Sequence, residues 1–284
     1  MRAVILFFFW RIGGILERLN RQASVVGTGE FFDRLAFFWV SDIEANWRAI
    51  RAEVEQLLLQ RARIPNLQDI SEEMRWLTQD DQWKTYMMIV GGEKVEGNYQ
   101  RCPKTMETVE RIPGLCTAIF SILGPGKHLP THRGYFNGML RYHLGLIVPG
   151  PADACRIRVG NEVRAWQEGK SIIFDDTYPH EVWNDSQSDR VVLYVDFLRP
   201  MKFPMPLVSK AFIALFSGLF MKEGEKRIRA WEERYIQLTA SSHSGGEAGH
   251  PTDHGTQDAA CAAASMTGVL AHARLARSPT PDGR

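Results

Sequence analysis

The chain has 284 residues, 34 Lys and Arg against 33 Asp and Glu, and 44% hydrophobic residues, enough apolar material for a buried core. A net charge of +1, with no basic stripe interleaved with aromatics, speaks against a nucleic-acid partner, and no uncharged apolar run reaches the roughly 20 residues of a membrane-spanning helix. Cys102, Cys116, Cys155 and Cys261 form no C-x-x-C pair and keep no regular spacing, which speaks against a zinc knuckle or a disulfide framework and fits a reducing, cytoplasmic compartment.

In chain order, residues 1–40 hold an apolar run from Ala3 to Trp10 set between Arg2 and Arg11, with Arg18 and Arg21 following. The run is too short to span a bilayer, and no clear small-x-small cleavage site marks it as a signal peptide. It reads either as a helix packed on the domain or as a membrane-surface anchor. Ser41-x-x-Glu44 is a capping-box pattern. Behind it Ile43, Trp47, Ile50, Val54, Leu57 and Leu58 recur at helical steps until Pro65, which predicts one amphipathic helix. Trp83 to Val90 reads as a strand entering a Gly91-Gly92 turn, and a short helix is expected from Pro103 to just before Pro113-Gly114.

After Gly114 short β-branched and aromatic runs alternate with turns. Strands are predicted at Thr117–Leu123, Leu140–Val148, Cys155–Val159, Glu162–Ala165, Ser171–Phe174, His180–Trp183 and Arg190–Phe197. The fold class is therefore mainly β with flanking helices, around a double-stranded β-helix core of the jelly-roll or cupin kind spanning 41–205. Residues 206–239 run from apolar (Pro206 to Met221) to charged, a helix that either covers the barrel or meets a membrane surface. From Ala240 to Arg284 the chain contains no Phe, Trp, Tyr or Ile and reads as a disordered tail. That tail takes four of the eight histidines, leaving His128, His132, His143 and His180 within the barrel sequence.

His132, in Pro130-Thr131-His132-Arg133-Gly134, follows a turn, and His180 opens a strand. Two imidazoles brought to a barrel mouth from separate strands suit a divalent first-row metal. Arg190, ten residues after His180, falls on the next strand of a hairpin and would point inward beside that metal. A buried guanidinium needs an anionic partner, and no carboxylate is obvious in the sequence, so a small dicarboxylate fits. Arg141 and His143 alternate with apolar residues along one strand and share its face.

The stretch from about Ser121 to Pro200 resembles the aspartyl/asparaginyl β-hydroxylase family of iron(II)- and 2-oxoglutarate-dependent dioxygenases, whose bacterial members include lipid A acyl-chain hydroxylases. The matching segments include Gly124-Pro125-Gly126-Lys127-His128, Pro130-Thr131-His132-Arg133-Gly134, Leu140–Leu146, Trp166-Gln167-Glu168-Gly169-Lys170, Ile173-Phe174-Asp175-Asp176 and His180-Glu181-Val182-Trp183-Asn184-Asp185. The resemblance implies His132 and His180 as iron ligands, and Arg190, His143 and Ser121 around the cosubstrate 2-oxoglutarate. Arg141 would face the substrate or cosubstrate, and O2 would be the oxidant. Most iron(II) oxygenases carry Asp or Glu two residues after the first histidine; here that residue is Gly134, and the resembled family lacks the carboxylate too. Asp175 and Asp176 are the nearest acidic residues, read as orienting His180 or capping the turn.

The function implied is hydroxylation of an unactivated C–H bond, first of all the β-carbon of a peptidyl Asp or Asn. The alternative is 2-hydroxylation of a lipid A acyl chain at the inner membrane surface, with peripheral contact through 3–10 or 206–221, and a small amino acid is a further substrate class. Readings of another kind are a metal-dependent jelly-roll isomerase and a non-catalytic jelly-roll binding domain. Nothing in the sequence fixes an oligomeric state.

Overall fold

Alternation of buried residues along the strands dictates a two-sided sheet, and a computed structural model shows how it is used. It describes residues 2–220 and 226–234, the side chains of 2–10, Glu73 and 216–220 excepted. The strands are β1 (Phe31–Phe32), β2 (Trp83–Val90), β3 (Glu93–Lys94), β4 (Leu115–Leu123), β5 (His128–His132), β6 (Met139–Ile147), β7 (Cys155–Val159), β8 (Glu162–Ala165), β9 (Ser171–Phe174), β10 (His180–Asn184) and β11 (Arg190–Leu198). The helices are α1 (Arg2–Ala23), α2 (Val40–Ala45), α3 (Trp47–Leu58), α4 (Leu67–Ile70), α5 (Glu96–Arg101), α6 (Pro103–Val109) and α7 (Met205–Phe220), with further helix over 226–234.

The larger sheet has the order β1-β9-β6-β11-β4-β2-β3 and the smaller the order β5-β10-β7-β8. From β4 to β11 the chain passes back and forth between the two sheets, with only the β7–β8 hairpin staying in one. That is the winding of a double-stranded β-helix, or jelly roll. All the strand pairings are antiparallel, so each strand can bury one face between the sheets and the other under helices or in solvent.

Because side chains alternate, β11 sends Val191, Leu193, Val195 and Phe197 to one side. There they form an apolar core with Ile43, Ile50 and Val54 of α2 and α3, and Met106 and Val109 of α6. A second apolar cluster lies between the sheets, where Leu123, Val192, Ile172 and Phe174 meet Leu129, Ile157, Val159 and Val182. Apart from Phe32 and Leu129, whose strands were not predicted, the strand residues of both clusters lie where the predicted strands place apolar residues.

The helical region departs from expectation at three points: the helix read as running to Pro65 is broken and stops at Leu58, and the one from Pro103 stops at Val109. The predicted helix starting at Ser41 is two helices, α2 and α3, broken at Asn46 (φ −94°, ψ 4°), whose side-chain amide donates to the Asp42 carbonyl at 2.8 Å. The capping box does not form. α2 already starts at Val40, and Glu44 takes tertiary partners instead, accepting from the Ser171 backbone N–H at 2.9 Å and pairing with Arg34 at 2.6 Å. The run from Pro206 lies in α7, and the expected tail from Ala240 lies outside the described residues. Cys102, Cys116 and Cys155 are free thiols.

Candidate active site

The face of the larger sheet turned toward the smaller one is where charge collects. In the antiparallel register Arg190 pairs with Leu123, Val192 with both Ser121 and Gly145, Tyr194 with His143, and Asp196 with Arg141. Residues paired across neighbouring strands share a face, as do residues two apart. Ser121, His143, Arg141, Arg190, Tyr194 and Asp196 therefore all line the interior.

From the smaller sheet, His180 pairs directly with His132, their rings 4.0 Å apart between centroids. The His132 ring is aimed by an irregularity in β5. Leu129 pairs with Val182 and His128 with Trp183, yet three residues separate Leu129 from His132 where two separate Val182 from His180. The extra residue is a β-bulge at Pro130-Thr131, a place where a proline costs no ladder hydrogen bond, and it turns His132 inward. Without it His132 would share the outward face of His128, which stacks on Trp183 at 5.3 Å and meets Glu181 at 2.7 Å. Of the four barrel histidines, His132, His143 and His180 converge and His128 does not.

Both paired histidines are held in the same manner. The Nδ1 of His132 lies 2.8 Å from the Pro130 carbonyl and that of His180 lies 3.0 Å from the Tyr178 carbonyl. A carbonyl only accepts, so each Nδ1 carries the proton and each Nε2 keeps its lone pair. Burial pushes the His132 pKa down to about 4, and burial, with His132 and Arg141 nearby, holds that of His180 well below its ordinary value. Two neutral imidazoles with oriented Nε2 lone pairs are what a first-row divalent metal requires of its ligands.

Arg190 is 2% exposed and forms no ion pair among the described residues; its Nε and one terminal nitrogen lack any hydrogen-bond partner. Burial lowers its pKa to about 10, which leaves it charged at neutral pH. Beside it lie two more buried orphans. The Trp166 ring sits under the guanidinium at 4.6 Å, its Nε1 without a partner, and His143 has neither ring nitrogen satisfied. His143 packs among Trp166, Phe174 and Tyr194 at 5.8, 5.1 and 5.2 Å, and burial, with Arg141 and Arg190, drives its pKa well below normal. A buried unpaired guanidinium is costly, and several unmet polar groups converging on one place call for a ligand rich in acceptors. Ser121 is nearby on the same face, where its hydroxyl accepts from the Trp83 indole N–H at 3.1 Å.

Arg141 is differently placed. Its guanidinium contacts Asp176 at 2.8 Å and Asp196 at 2.9 Å and lies 4.3 Å over the Tyr194 ring. Against the cost of burial, the two carboxylates raise its pKa. Internal carboxylates occupy the guanidinium fork of Arg141 on this side. Asp176 also accounts for Gly134: a Cβ at that position would collide with the Asp176 carboxyl group. The space that a side chain at position 134 would take is filled by a carboxylate from another loop, tied to Arg141. Asp175 caps its turn by accepting from the Thr177 N–H at 3.0 Å and forms a buried ion pair with Arg199. Arg199 also donates to the Asn137 carbonyl at 2.7 Å, so the loops after His132 and before His180 share one clamp.

No group of three or more His, Cys, Asp and Glu suited to a metal occurs among the described residues. The donor set fits a site with two protein nitrogens whose other ligands come from cosubstrate and solvent, and the orphaned Arg190, His143 and Trp166 fit an anionic cosubstrate beside it. Trp166, Tyr194 and Asp196 were not singled out from the sequence. Asp196 was accessible by parity, six residues along the strand from Arg190, whereas Trp166 lies after β8 in a segment with no periodic signal.

A family profile described as aspartyl/asparaginyl beta-hydroxylase matches residues 44–200. The chain belongs to this family. It is 46% identical over 230 residues, 80% of this chain and 82% of the relative, to an ornithine lipid ester-linked acyl 2-hydroxylase of Rhizobium tropici. It is 35% identical over 173 residues to the aspartyl/asparaginyl beta-hydroxylase of Mus musculus, covering 58% of this chain but 22% of that protein. Among solved structures, a prolyl-4-hydroxylase of Pseudomonas putida aligns over 54% of this chain and 87% of its own, at 17% identity and a TM-score of 0.36. Hydroxylase chemistry is the activity that membership of the family supports.

Proposed function

We propose that this member of the family is an iron(II)- and 2-oxoglutarate-dependent hydroxylase acting on the acyl chain of a membrane lipid. The observation that carries the cofactor reading is the pairing of two neutral, oriented imidazoles with an unpartnered buried arginine on one interior face. His132 and His180 would hold iron through Nε2. Bound iron(II) would activate O2, with 2-oxoglutarate supplying two electrons, so that one oxygen atom enters an unactivated C–H bond and the other enters succinate as CO2 is released.

The chain's own residues do the positioning. Arg190 receives a carboxylate of the cosubstrate through its free nitrogens. His143 and the Trp166 indole donate to it from either side, and Ser121 has a hydroxyl on the same face. The Pro130 and Tyr178 carbonyls fix the two ring tautomers. Phe174, Tyr194 and Trp166 wall the polar groups off from bulk water, which strengthens each charge-assisted contact.

The lipid reading rests on the Rhizobium tropici relative, which by its description hydroxylates an ester-linked acyl chain and aligns over most of its length. The peptidyl Asp/Asn reading, placed first from the sequence, draws on the Mus musculus relative, which matches over a smaller share of both chains. The test is to incubate the iron-loaded protein with detergent-dispersed ornithine lipid and, separately, with an Asp- and Asn-containing peptide, with and without 2-oxoglutarate. Gain of one oxygen atom on the ester-linked acyl chain, dependent on 2-oxoglutarate, is the expected result. Oxygenation of the peptide alone would overturn the lipid substrate, and oxygenation without 2-oxoglutarate would overturn the cosubstrate.

A further inference from the structure

Helices α1 and α7 lie far apart in sequence but pack together. Ser209 donates to the Asn20 side-chain carbonyl at 3.1 Å, Asn20 donates to Asn137 at 3.1 Å, and Asn137 donates to the Glu17 carbonyl at 2.9 Å. The Phe212 ring lies 4.6 Å from Phe136. Each helix therefore has one satisfied, buried side, marked by Leu16 and Asn20 in α1 and by Ser209 in α7.

The other sides are apolar and bare. Of the fourteen exposed large hydrophobic residues among those described, eight fall within 12–25 and 203–215, including Ile15 at 62%, Phe203 at 82%, Leu207 at 61% and Leu215 at 55% exposure. Ile12, Ile15 and Leu19 follow helical spacing on α1, and Leu207, Ala211 and Leu215 do so on α7. Exposed hydrophobic residues scattered singly need no explanation; a cluster of them does. The charge around them has one sign. α1 carries Arg2, Arg11, Arg18 and Arg21 against Glu17 alone, and α7 and its lead-in carry Lys202 and Lys210 with no acid, in a chain whose net charge is only +1. Arg11 and Arg18 are exposed one helical step from Ile15, so their stems can lie along the apolar stripe while their heads stay in water.

We infer that the α1/α7 pair is a docking surface for an anionic lipid bilayer, in which the two helices lie flat at the interface. No helix among the described residues is long and apolar enough to cross a membrane. α1, at 22 residues, has the form of an interfacial helix with an apolar face edged by arginines. The pair also touches both loops that carry the paired histidines. Arg21 donates to the Tyr178 hydroxyl at 2.8 Å, and the Tyr178 carbonyl holds His180; Phe136, against Phe212, follows His132 by four residues. Docking sets the His132 and His180 loops at the lipid surface. Its role in delivering an acyl chain rests on the lipid-hydroxylase reading, whereas the docking itself rests on the surface alone.

The test is flotation of the full-length protein with vesicles of phosphatidylcholine, and of phosphatidylcholine mixed with phosphatidylglycerol. Binding is expected to the mixed vesicles and to weaken as salt is added. The double variant Ile15→Glu, Leu207→Glu should bind about a hundredfold more weakly, and the quadruple variant Arg11→Gln, Arg18→Gln, Lys202→Gln, Lys210→Gln about tenfold or more weakly. All six side chains are exposed, so both variants should melt near the parent, and both should keep turnover on detergent-dispersed substrate. Equal flotation of parent and double variant, or no flotation of the parent, overturns the docking surface. A concentration-dependent dimer abolished by Ile15→Glu, Leu207→Glu, with no vesicle binding, would reassign the face to a second copy of the chain. Intact flotation with no lipid turnover would instead remove the proposed substrate and leave the docking standing.

Discussion

The two sides of strand β11 obey different physics. Val191, Leu193, Val195 and Phe197 face the helices in a core of almost wholly apolar side chains that carries no charge. Arg190, Tyr194 and Asp196 face the smaller sheet, where Asp196 is balanced by Arg141 and Arg190 by nothing. One side stabilises the fold by removing apolar surface from water. The other holds a charge whose desolvation is uncompensated until an anion arrives. The jelly roll tolerates that second side because the first is dense and continuous, and because the neighbouring polar groups are satisfied except at Arg190, His143 and Trp166.

Variants on the two sides should therefore separate stability from chemistry. The largest effect is expected at the paired histidines: His132→Ala or His180→Ala should weaken iron(II) binding on the order of a hundredfold or more, measured by calorimetry, with loss of succinate formation. Near-normal succinate formation in either variant would remove that residue from the site. Leu193→Ala, on the apolar side, should lower the unfolding free energy by about 2–5 kcal/mol in urea and leave the 2-oxoglutarate requirement of the folded protein unchanged. Arg190→Met should do the reverse. Its requirement for 2-oxoglutarate should rise by about 2 kcal/mol, or roughly thirtyfold, while the ligand-free protein unfolds at the same or a higher urea concentration, since a buried unpaired charge has been removed. A stability loss like that of Leu193→Ala would place Arg190 in the scaffold. Smallest of all, Arg156→Ala breaks a partly exposed pair with Asp185 at 2.6 Å and should change stability by no more than about 0.5 kcal/mol.

Strand positions were legible wherever period-two alternation was bounded by turn residues. β2, β7, β8 and β9 have the predicted limits, β4, β10 and β11 are longer by one or two residues at one end, and β6 is displaced by one residue toward the N-terminus. The interior face of β6 and β11 could be read the same way, which is why Arg141, His143 and Arg190 emerge together. Three things were hidden. The bulge at Pro130-Thr131 breaks the parity that strand reading depends on, so β5 was not predicted as a strand and the inward aim of His132 had no local signal. The Asn46 break reflects a side-chain bond to its own backbone and the tertiary capture of Glu44. The packing of Asp176 into the space left by Gly134 joins residues 42 apart and depends on loop geometry that no spacing encodes.

The interior polar face is proposed to bind iron and an anionic cosubstrate together. The most direct measurement is the visible absorption of the purified protein with iron(II) and 2-oxoglutarate under anaerobic conditions, set beside His132→Ala and Arg190→Met. A weak metal-to-ligand charge-transfer band is expected in the parent, absent without iron or with His132→Ala, and shifted to higher 2-oxoglutarate concentration with Arg190→Met. No band in the parent, or one that survives His132→Ala at full strength, would contradict it.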